Sequence, residues 1–492
     1  MNDRPWTKHY DDGVPEHIDY PDINVVEMYN ETARKYPDTA ATIFKGARIS
    51  YAEMNRITDQ LAAGLASLGV KKGDRVGIFM PNSPQFVMAF LAILKLGAVV
   101  VATNPLYSAR EIEHQLNDAG VEVMLVMSNF YNTMKRVQPK TKLRVLIVTN
   151  IKEALPGLLR FLFTLTKEKK EGHKVDLASG DVWMPDLISR FSSADRPKVE
   201  VLPDDIALFQ YSGGTTGISK AAVVTHRNLV ANSYQISTWF VTAEEGKELV
   251  LMAIPLFHVY GMVAGMLLGI NEGASLVMIP NPRDLKDLLS NIQIYGTSLF
   301  PGVPTMYNAI NNNPDVLAGK YDLSSIKACI SGSAPLMRET KEQFEKLSGG
   351  VVFEGYGLSE APTATHCNPM VGENRTGSIG LPLPDVDVRI ISLDDGVTVL
   401  PTGEIGEMTV RGPQVMKGYH NMPTETANVL RDGWLFTGDI AYMDEDGYFY
   451  IVDRKKELIK PGGYQVWPRE VEEVIMENPK VLEVGVAGVP DP

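Results

Sequence analysis

Between residues 49 and 150 the sequence alternates helix-like and strand-like segments, and this alternation constrains the fold more than any other feature. The helix-like stretches lie at 51–68, 84–96 and 109–118, and the strand-like runs lie at 75–80, 98–102, 121–127 and 143–149. Parallel strands need long crossover connections, and helices of this length supply them. The order therefore predicts a parallel sheet covered by helices.

The rest of the chain extends this pattern and then departs from it. Apolar runs near residues 206, 250, 275, 298, 326 and 351 predict strands of a second α/β layer. From 377 to 451, short β-rich runs broken by Pro and Gly predict a small antiparallel barrel or sheet. We therefore predict an α/β fold: a large N-terminal domain of two α/β layered subdomains plus a small β-rich subdomain, followed by the start of a smaller α+β C-terminal domain. The predicted boundaries are 1–453 for the large domain, with subdomains of about 1–200, 201–376 and 377–453, and 454–492 for the C-terminal domain.

Composition excludes several classes of protein. The 492 residues carry a formal net charge of −13, which disfavours generic nucleic-acid binding. The two cysteines, Cys329 and Cys367, form neither a disulfide framework nor a CxxC site, and the eight histidines show no HExxH spacing. The first residues are polar and lack the apolar core of a signal peptide. We expect a cytoplasmic protein without structural zinc.

Two apolar segments raise the question of membrane contact. Residues 249–270 carry no charged side chain, and a helix that spans a membrane needs ~20 such residues. Pro255 and His258 interrupt them, which favours a buried strand at 249–254, a loop, and a short core helix from about Gly261. Residues 156–174 combine an apolar turn or two with a basic run. Either this segment rests on an anionic membrane surface, or it is a helix packed on its own domain with a solvated charged end.

A loop rich in small residues is suited to binding phosphate. Residues 211–229 read YSGGTTGISKAAVVTHRNL, so backbone N–H groups, hydroxyls and one lysine fall close together. Ile218 and Ser219 separate Gly217 from Lys220, so the Walker A pattern is absent. The flanking runs are short and apolar, which predicts a loop between two strands. The alternative is an ordinary flexible hairpin tip.

Four further motifs follow this loop in a specific order. They are SGSAPL at 331–336, EGYGLSE at 354–360, GWLFTGDIAYMDEDGYFYIVDRKKELIK at 433–460 and PGGYQVWPREVE at 461–472. With the loop, they resemble the adenylate-forming superfamily of acyl-CoA synthetases, luciferases and peptide-synthetase adenylation domains over nearly all of the chain. The insertion after Pro156, IPLFHVYG at 254–261 and the stretch 281–310 are most similar to long-chain fatty acid–CoA ligases.

The resemblance implies an acid–thiol ligase that uses ATP, Mg²⁺ and CoA. A fatty acid carboxylate would attack the α-phosphorus of ATP to give an acyl-adenylate and pyrophosphate, and the CoA thiolate would then displace AMP. The alternatives are an aryl or medium-chain acid–CoA ligase, and a catalytically silent nucleotide-binding protein. A homodimer is also left open.

The resemblance assigns roles to individual residues. The loop from Ser212 to Lys220 would hold the β- and γ-phosphates, Tyr356 would stack on adenine, Glu360 would bind Mg²⁺, and His258 would lie between the acyl pocket and the reaction centre. Asp439 and Arg454 would contact the ribose, and Lys456 and Lys460 would lie near the nucleotide and CoA. The predicted catalytic residues are Thr216, Lys220, His258 and Glu360. The predicted nucleotide-binding residues are Ser212, Gly213, Gly214, Thr215, Thr216, Gly217, Lys220, Gly332, Gly355, Tyr356, Gly357, Ser359, Asp439, Arg454, Lys456 and Lys460.

The resemblance is weaker at the C-terminal end. In the family a domain of about a hundred residues follows the position of Asp453, and it carries a lysine required for adenylation. Here the sequence ends at Pro492, and no counterpart of that lysine is present. We therefore expect a shortened C-terminal domain and impaired adenylation, because the lysine would offset charge in the transition state.

Overall fold

The computed structural model describes residues 4–212, 219–457, 459, 466–476, 478, 481 and 484–489. Local capping explains where several helices begin. The Ser50 hydroxyl accepts from the backbone N–H of Glu53, and Ser108 forms a capping box with Glu111. The α-helices run over Val25–Lys35 (α1), Tyr51–Ser67 (α2), Pro84–Lys95 (α3), Ala109–Ala119 (α4), Tyr131–Val137 (α5), Gly157–Thr166 (α6), Met184–Ser189 (α7), His226–Trp239 (α8), Leu268–Asn271 (α9), Leu285–Tyr295 (α10), Pro304–Asn311 (α11), Pro314–Leu317 (α12), Arg338–Ser348 (α13), Pro423–Val429 (α14) and Pro468–Met476 (α15).

The strands are short and mostly apolar. In chain order they are Ala40–Phe44 (β1), Ala47–Ser50 (β2), Arg75–Phe79 (β3), Val99–Ala102 (β4), Val123–Met127 (β5), Val145–Thr149 (β6), Val182–Trp183 (β7), Ile206–Ser212 (β8), Lys220–Thr225 (β9), Leu249–Met252 (β10), Ser275–Met278 (β11), Ala328–Ser331 (β12), Val351–Leu358 (β13), Ala361–Cys367 (β14), Leu381–Pro382 (β15), Asp387–Ile391 (β16), Gly406–Arg411 (β17), Gly418–Tyr419 (β18), Leu430–Arg431 (β19), Trp434–Met443 (β20) and Phe449–Arg454 (β21).

The predicted parallel sheet is present. Its strand order is β18-β9-β8-β4-β3-β5-β6-β7, and the pairs from β8 to β7 are parallel. The strands and helices predicted between 49 and 150 all form, within a few residues of their predicted bounds. The short helix α5 was not predicted.

The second layer contains different strands from those expected. Its order is β10-β11-β1-β2, and Leu299 bridges Val250 and Ala328, so that β12 and β13 continue it. The prediction that the strand near residue 206 belongs here was wrong: β8 pairs with β4, where Val100 lies opposite Leu208. An apolar run indicates a strand, but it does not indicate which neighbour the strand pairs with.

The β-rich region forms an antiparallel sheet, as predicted. Its order is β16-β17-β20-β19, and β21 pairs with β20. Beyond it, Ile459 and Val466 form an isolated bridge, and α15 follows. The domain boundaries stay predictions.

The charge-free stretch 249–270 divides as predicted. It begins with β10, and a π-helix over Tyr260–Leu267 leads into α9. Every residue of that π-helix is buried. In the described part of the chain, no helix has the length and hydropathy needed to cross a bilayer.

Candidate functional site

Three strand pairs carry the predicted site residues. The hairpin of β8 and β9 places Lys220 opposite Ser212, and the hairpin of β13 and β14 carries Tyr356 and Glu360. The pairing of β20 with β21 places Asp439 directly opposite Arg454. Gly213, Gly214, Thr215, Thr216, Gly217 and Lys460 lie outside the described residues, and so does the Ser212 side chain.

A two-residue strand joins the first two of these pairs. β18 adds antiparallel to β9, so that Tyr419 lies opposite Ala222. Just before β18, the Met416 N–H donates to the backbone carbonyl of Glu360 at 2.8 Å, and the Lys417 N–H donates to Val223 at 2.9 Å. The segment 416–419 thus joins the phosphate-loop hairpin to the hairpin of Glu360.

The predicted nucleoside contacts are built on Asp439, which is buried. One carboxylate oxygen of Asp439 pairs with Arg454 Nε at 2.6 Å, and the other accepts from the Tyr356 hydroxyl. Burial raises the pKa of Tyr356 well above its ordinary value, so the hydroxyl stays protonated and donates. Burial also raises the pKa of Asp439, while Arg454 and the Tyr356 hydrogen bond oppose that rise. The three predicted nucleoside contacts therefore form one connected group.

Glu360 is held by a neighbour that the sequence motifs do not include. The Tyr419 hydroxyl donates to Glu360 Oε1 at 2.7 Å. Burial raises the pKa of Tyr419, and the nearby Glu360 carboxylate adds to the rise, so the hydroxyl remains a donor at neutral pH. This leaves the second carboxylate oxygen of Glu360 without a hydrogen-bond donor among the described side chains.

Lys220 is engaged by an acidic partner. Its ammonium bonds to the Glu425 carboxylate on α14 and lies 5.3 Å from the centre of the Tyr419 ring. Lys220 lowers the pKa of Glu425, and Lys456 adds to this effect. Lys220, a predicted phosphate contact, and Lys456, predicted near the nucleotide and CoA, therefore both act on the same carboxylate.

Three of the predicted glycines lie in the described residues, and they differ in how much room a side chain would have. A Cβ on Gly355 would lie 2.8 Å from Ile330, and a Cβ on Gly357 would lie 1.4 Å from the backbone oxygen of Thr363. Packing against backbone therefore requires glycine at 357, whereas at 355 the neighbour is the end of the Ile330 side chain, which can move. A Cβ on Gly332 would meet Tyr260 and the Gly355 carbonyl at 3.4 and 3.5 Å, which are ordinary contact distances. Packing does not explain Gly332, and the predicted close approach by the nucleotide stays a prediction.

We expect Gly332→Ala to fold normally but to bind ATP less well. The methyl group fits against its protein neighbours, but it would occupy space that the nucleotide needs. We expect the Kd for ATP, measured by titration calorimetry, to rise about tenfold or more. A tenfold rise corresponds to a loss of about 1.4 kcal/mol in binding free energy. An unchanged melting temperature is the matched control for folding, and an unchanged Kd would contradict the role of Gly332.

His258 forms a hydrogen bond within its own turn. Its Nδ1 accepts from the Tyr260 N–H at 3.2 Å, which places the ring proton of the neutral imidazole on Nε2. The side chain is open to solvent on one side, and partial desolvation by the surrounding protein lowers its pKa. At neutral pH, His258 therefore presents a neutral N–H donor.

The turn before His258 is fixed by Asn82, a residue that the sequence motifs missed. Its amide donates to the carbonyls of Met252 and Ile254 at 2.9 and 2.8 Å, and its Oδ1 accepts from the Leu256 N–H at 2.8 Å. Asn82 lies directly after a predicted strand, and ligands of α/β sheets bind at the ends of strands. That position is the one sequence feature that could have indicated Asn82 as a site residue.

The remaining predicted residues are exposed or lie at a turn. Ser359 and Glu360 form the tight turn between β13 and β14, and Lys456 is exposed beyond the end of β21. In the described residues, no group of three or more His, Cys, Asp or Glu side chains could hold a metal ion by itself. Mg²⁺ is often held by one or two carboxylates together with substrate phosphates, and a single Glu360 fits that mode.

Tyr419 and Glu425 could not be identified from motifs. Both lie on short elements, β18 and α14, and reach the site only because β18 pairs with β9. A two-residue strand has no periodicity that a sequence pattern can reveal.

We expect Glu425→Gln to strengthen ATP binding a few-fold. Without ATP, Glu425 competes for the Lys220 ammonium, and the amide removes that competing charge. The Kd for ATP is the measurement, and the effect should shrink at high salt because the Glu425 side chain is 43% exposed. Glu342→Gln, which breaks an exposed pair with Arg338, is the matched control. Weaker ATP binding in Glu425→Gln would show instead that the carboxylate helps to hold the nucleotide.

Comparison with known proteins gives a consistent picture. The family model described as AMP-binding enzyme matches residues 29–420. The long-chain-fatty-acid–CoA ligase of Bacillus subtilis is 41% identical over 499 residues, which cover 100% of this chain and 87% of that protein. The alignment gives no support to the predicted shortening of the C-terminal domain, and the predicted impairment of adenylation stays a prediction.

Solved structures agree on the fold. A crystal structure of a long-chain-fatty-acid-CoA ligase from Archaeoglobus fulgidus has a TM-score of 0.78 at 27% identity and covers 98% of this chain and 92% of that chain. An anthranilate CoA ligase in complex with anthranoyl-AMP has a TM-score of 0.84 at 24% identity, over 96% of this chain and 86% of that chain, a likeness of fold alone. The predicted fold class is confirmed.

Proposed function

The chain belongs to the family of AMP-binding enzymes, and from this membership we propose that it is an ATP-dependent fatty acid–CoA ligase that favours long-chain acids. The observation that carries the proposal is the 41% identity, over the whole chain, to the long-chain-fatty-acid–CoA ligase of Bacillus subtilis. The connected groups around Asp439, Glu360 and Lys220 support it, since they offer contacts to a nucleoside, a cation and phosphates. A cytoplasmic location and a homodimer stay predictions.

The charges of the site suit the first half-reaction. A carboxylate that attacks the α-phosphorus of ATP brings two anions together, so cations must offset the repulsion. Lys220 and Lys456 would supply those cations, and Tyr356 and Asp439 would orient the nucleoside. The Nε2–H of His258 can donate to a carboxylate oxygen. The acyl-adenylate then loses AMP when the CoA thiolate attacks the acyl carbon.

Mg²⁺ is the cation that this chemistry needs, and Glu360 is the residue that we propose holds it. Tyr419 fixes one carboxylate oxygen and leaves the other to bind a hard cation. When bound, Mg²⁺ would neutralise charge on the phosphates.

Pyrophosphate exchange tests the proposal. Labelled pyrophosphate is supplied with ATP and with acids from short to long chains, together with an aryl acid such as benzoate. We expect exchange that peaks with long-chain acids. Lys220→Ala should abolish most of this exchange, whereas Lys247→Ala, which removes an exposed lysine paired with Glu244, should leave it unchanged.

The other results identify the alternatives. Exchange that peaks with benzoate or medium chains would replace the long-chain proposal with an aryl or medium-chain ligase. ATP binding without any acid-dependent exchange or AMP release would identify a catalytically silent nucleotide-binding protein.

A further inference from the structure

One face of α8 carries a row of buried amide side chains. Asn228, Asn232 and Gln235 follow each other at spacings of four and three residues, which places them on the same side of the helix. All three side chains are buried. Burying an amide is unfavourable unless its hydrogen bonds are made, so the partners of this row show what the helix holds in place.

Asn228 holds the segment that leads into β18. Its Nδ2 donates to the backbone carbonyls of Pro413 and Val415 at 2.7 and 3.0 Å. Its Oδ1 accepts from the N–H and the hydroxyl of Thr225 at 3.0 and 2.8 Å. The residue that follows Val415 donates its N–H to the backbone carbonyl of Glu360. Asn228 therefore lies one residue away from the contact that joins this segment to the turn of Glu360.

Asn232 holds the other side of that turn. Its Oδ1 accepts from the N–H groups of Thr363 and Ala364 at 2.6 and 3.0 Å, and its Nδ2 donates to the Ala364 carbonyl at 2.7 Å. The Nδ2 group also donates to Gln235 Oε1 at 3.0 Å. Two donated and two accepted hydrogen bonds satisfy the whole Asn232 amide, and they fix β14 three residues after Glu360.

The helix that carries these amides is continuous with the phosphate-loop hairpin. Strand β9 runs from Lys220 to Thr225, and Thr225 is also the N-cap of α8. No loop separates the strand from the helix, so the amide row has a fixed position relative to Lys220. One continuous strand and helix therefore links Lys220 to both sides of the Glu360 turn.

We propose that Asn228 and Asn232 are positioning residues that set the separation between Lys220 and Glu360. The proposal rests on the proposed function, in which Glu360 holds Mg²⁺ and Lys220 contacts the phosphates. Mg²⁺ demands near-ideal octahedral geometry and usually combines one or two carboxylates with substrate phosphates. A carboxylate in that role must therefore stand at a fixed distance from the phosphates, and the two amides hold its turn at that distance.

The Kd for ATP with Mg²⁺ and the Kd for AMP, both measured by titration calorimetry on the full chain, test the proposal. Asn228→Asp keeps an acceptor for Thr225 and adds a negative charge that suits the start of a helix, but it cannot donate to the two carbonyls. We expect it to raise the Kd for ATP with Mg²⁺ about tenfold and to leave the Kd for AMP within about twofold. AMP lacks the β- and γ-phosphates, so its binding does not depend on the distance from Lys220 to Glu360.

Two uncharged variants and one control complete the experiment. Asn228→Ser and Asn232→Ser should each raise the ratio of the Kd for ATP to the Kd for AMP several-fold, because one hydroxyl cannot replace both donors of an amide. Asn311→Asp is the matched control. This buried asparagine donates to the Thr340 carbonyl at 2.8 Å and joins α11 to α13, through a bond that involves no site residue. Its ratio should equal that of the unchanged protein.

Two results would overturn the proposal. One is an unchanged ratio in the variants of Asn228 and Asn232. The other is an equal weakening of ATP and AMP binding, which a purely structural role predicts. The ratio depends on binding and not on catalysis, so it decides the role of these amides even if the unchanged protein shows no acid-dependent pyrophosphate exchange and the proposed function fails.

Discussion

Asp439→Asn is expected to lower kcat/KM for ATP by about a hundredfold. The substitution keeps size and shape but removes the charge that pairs with Arg454 at 2.6 Å and accepts from the Tyr356 hydroxyl. Hydrogen bonds to buried charged groups contribute about 1.5–3 kcal/mol, and a hundredfold change corresponds to about 2.7 kcal/mol. Acid-dependent pyrophosphate exchange at varied ATP is the measurement. The loss should be larger in kcat/KM for ATP than in kcat/KM for the fatty acid, because we propose that this group contacts the nucleoside of ATP.

Asp387 provides the matched control for that experiment. It lies on β16 in the same sheet and pairs with both Arg4 and Arg411, away from the site. Asp387→Asn should therefore cost some stability and leave kcat/KM for ATP within about twofold of the unchanged protein. If both variants lose activity equally, the loss comes from damage to the sheet and not from lost contacts to the nucleotide. If Asp439→Asn keeps its activity, Asp439 has no part in nucleotide binding.

Gly357→Ala is expected to destabilise the fold by about 3 kcal/mol or more. The new Cβ would lie 1.4 Å from the Thr363 carbonyl oxygen, which belongs to the backbone of β14 and cannot turn aside. The hairpin of β13 and β14 would have to separate, and overpacking that moves backbone is among the largest single-residue effects. A lower urea midpoint and a lower soluble yield are the measurements.

Gly157→Ala is the control for the general effect of adding a methyl group. Nothing lies within 4 Å of the Cβ that it would add, so stability should not fall. An unchanged urea midpoint for Gly357→Ala would mean that the hairpin relaxes at little cost. Together with Gly332→Ala, these variants separate a glycine that packing requires from one that we predict a ligand requires.

The sequence predicted the elements of this fold better than their arrangement. Helix α2 begins at Tyr51 because Ser50 caps it, and α4 ends at Ala119 because Gly120 follows in the left-handed conformation with a φ of 66°, so local chemistry sets both bounds. The pairing of β8 with β4 and of β1 with β11 depends on contacts between distant parts of the chain. The periodic pattern of apolar residues does not predict which strands pair.

The same division holds for the site. Tyr356, Asp439 and Arg454 lie in recognisable motifs, and the structure brings them together. Tyr419 and Glu425 reach Glu360 and Lys220 only through the tertiary pairing of β18, so the sequence alone could not reveal them. Asn82 is an intermediate case, because its place after β3 follows from the sequence while its three hydrogen bonds do not.

The pairing of β1 with β11 has a consequence for synthesis on the ribosome. Thr42 lies opposite Leu276, so β1 leaves the ribosome roughly 230 residues before its parallel partner. At typical elongation rates, one edge of β1 stays unpaired for roughly tens of seconds. An exposed strand edge is a template for association with other chains. Nascent chains that stop before β11 are therefore the species most in need of chaperone protection.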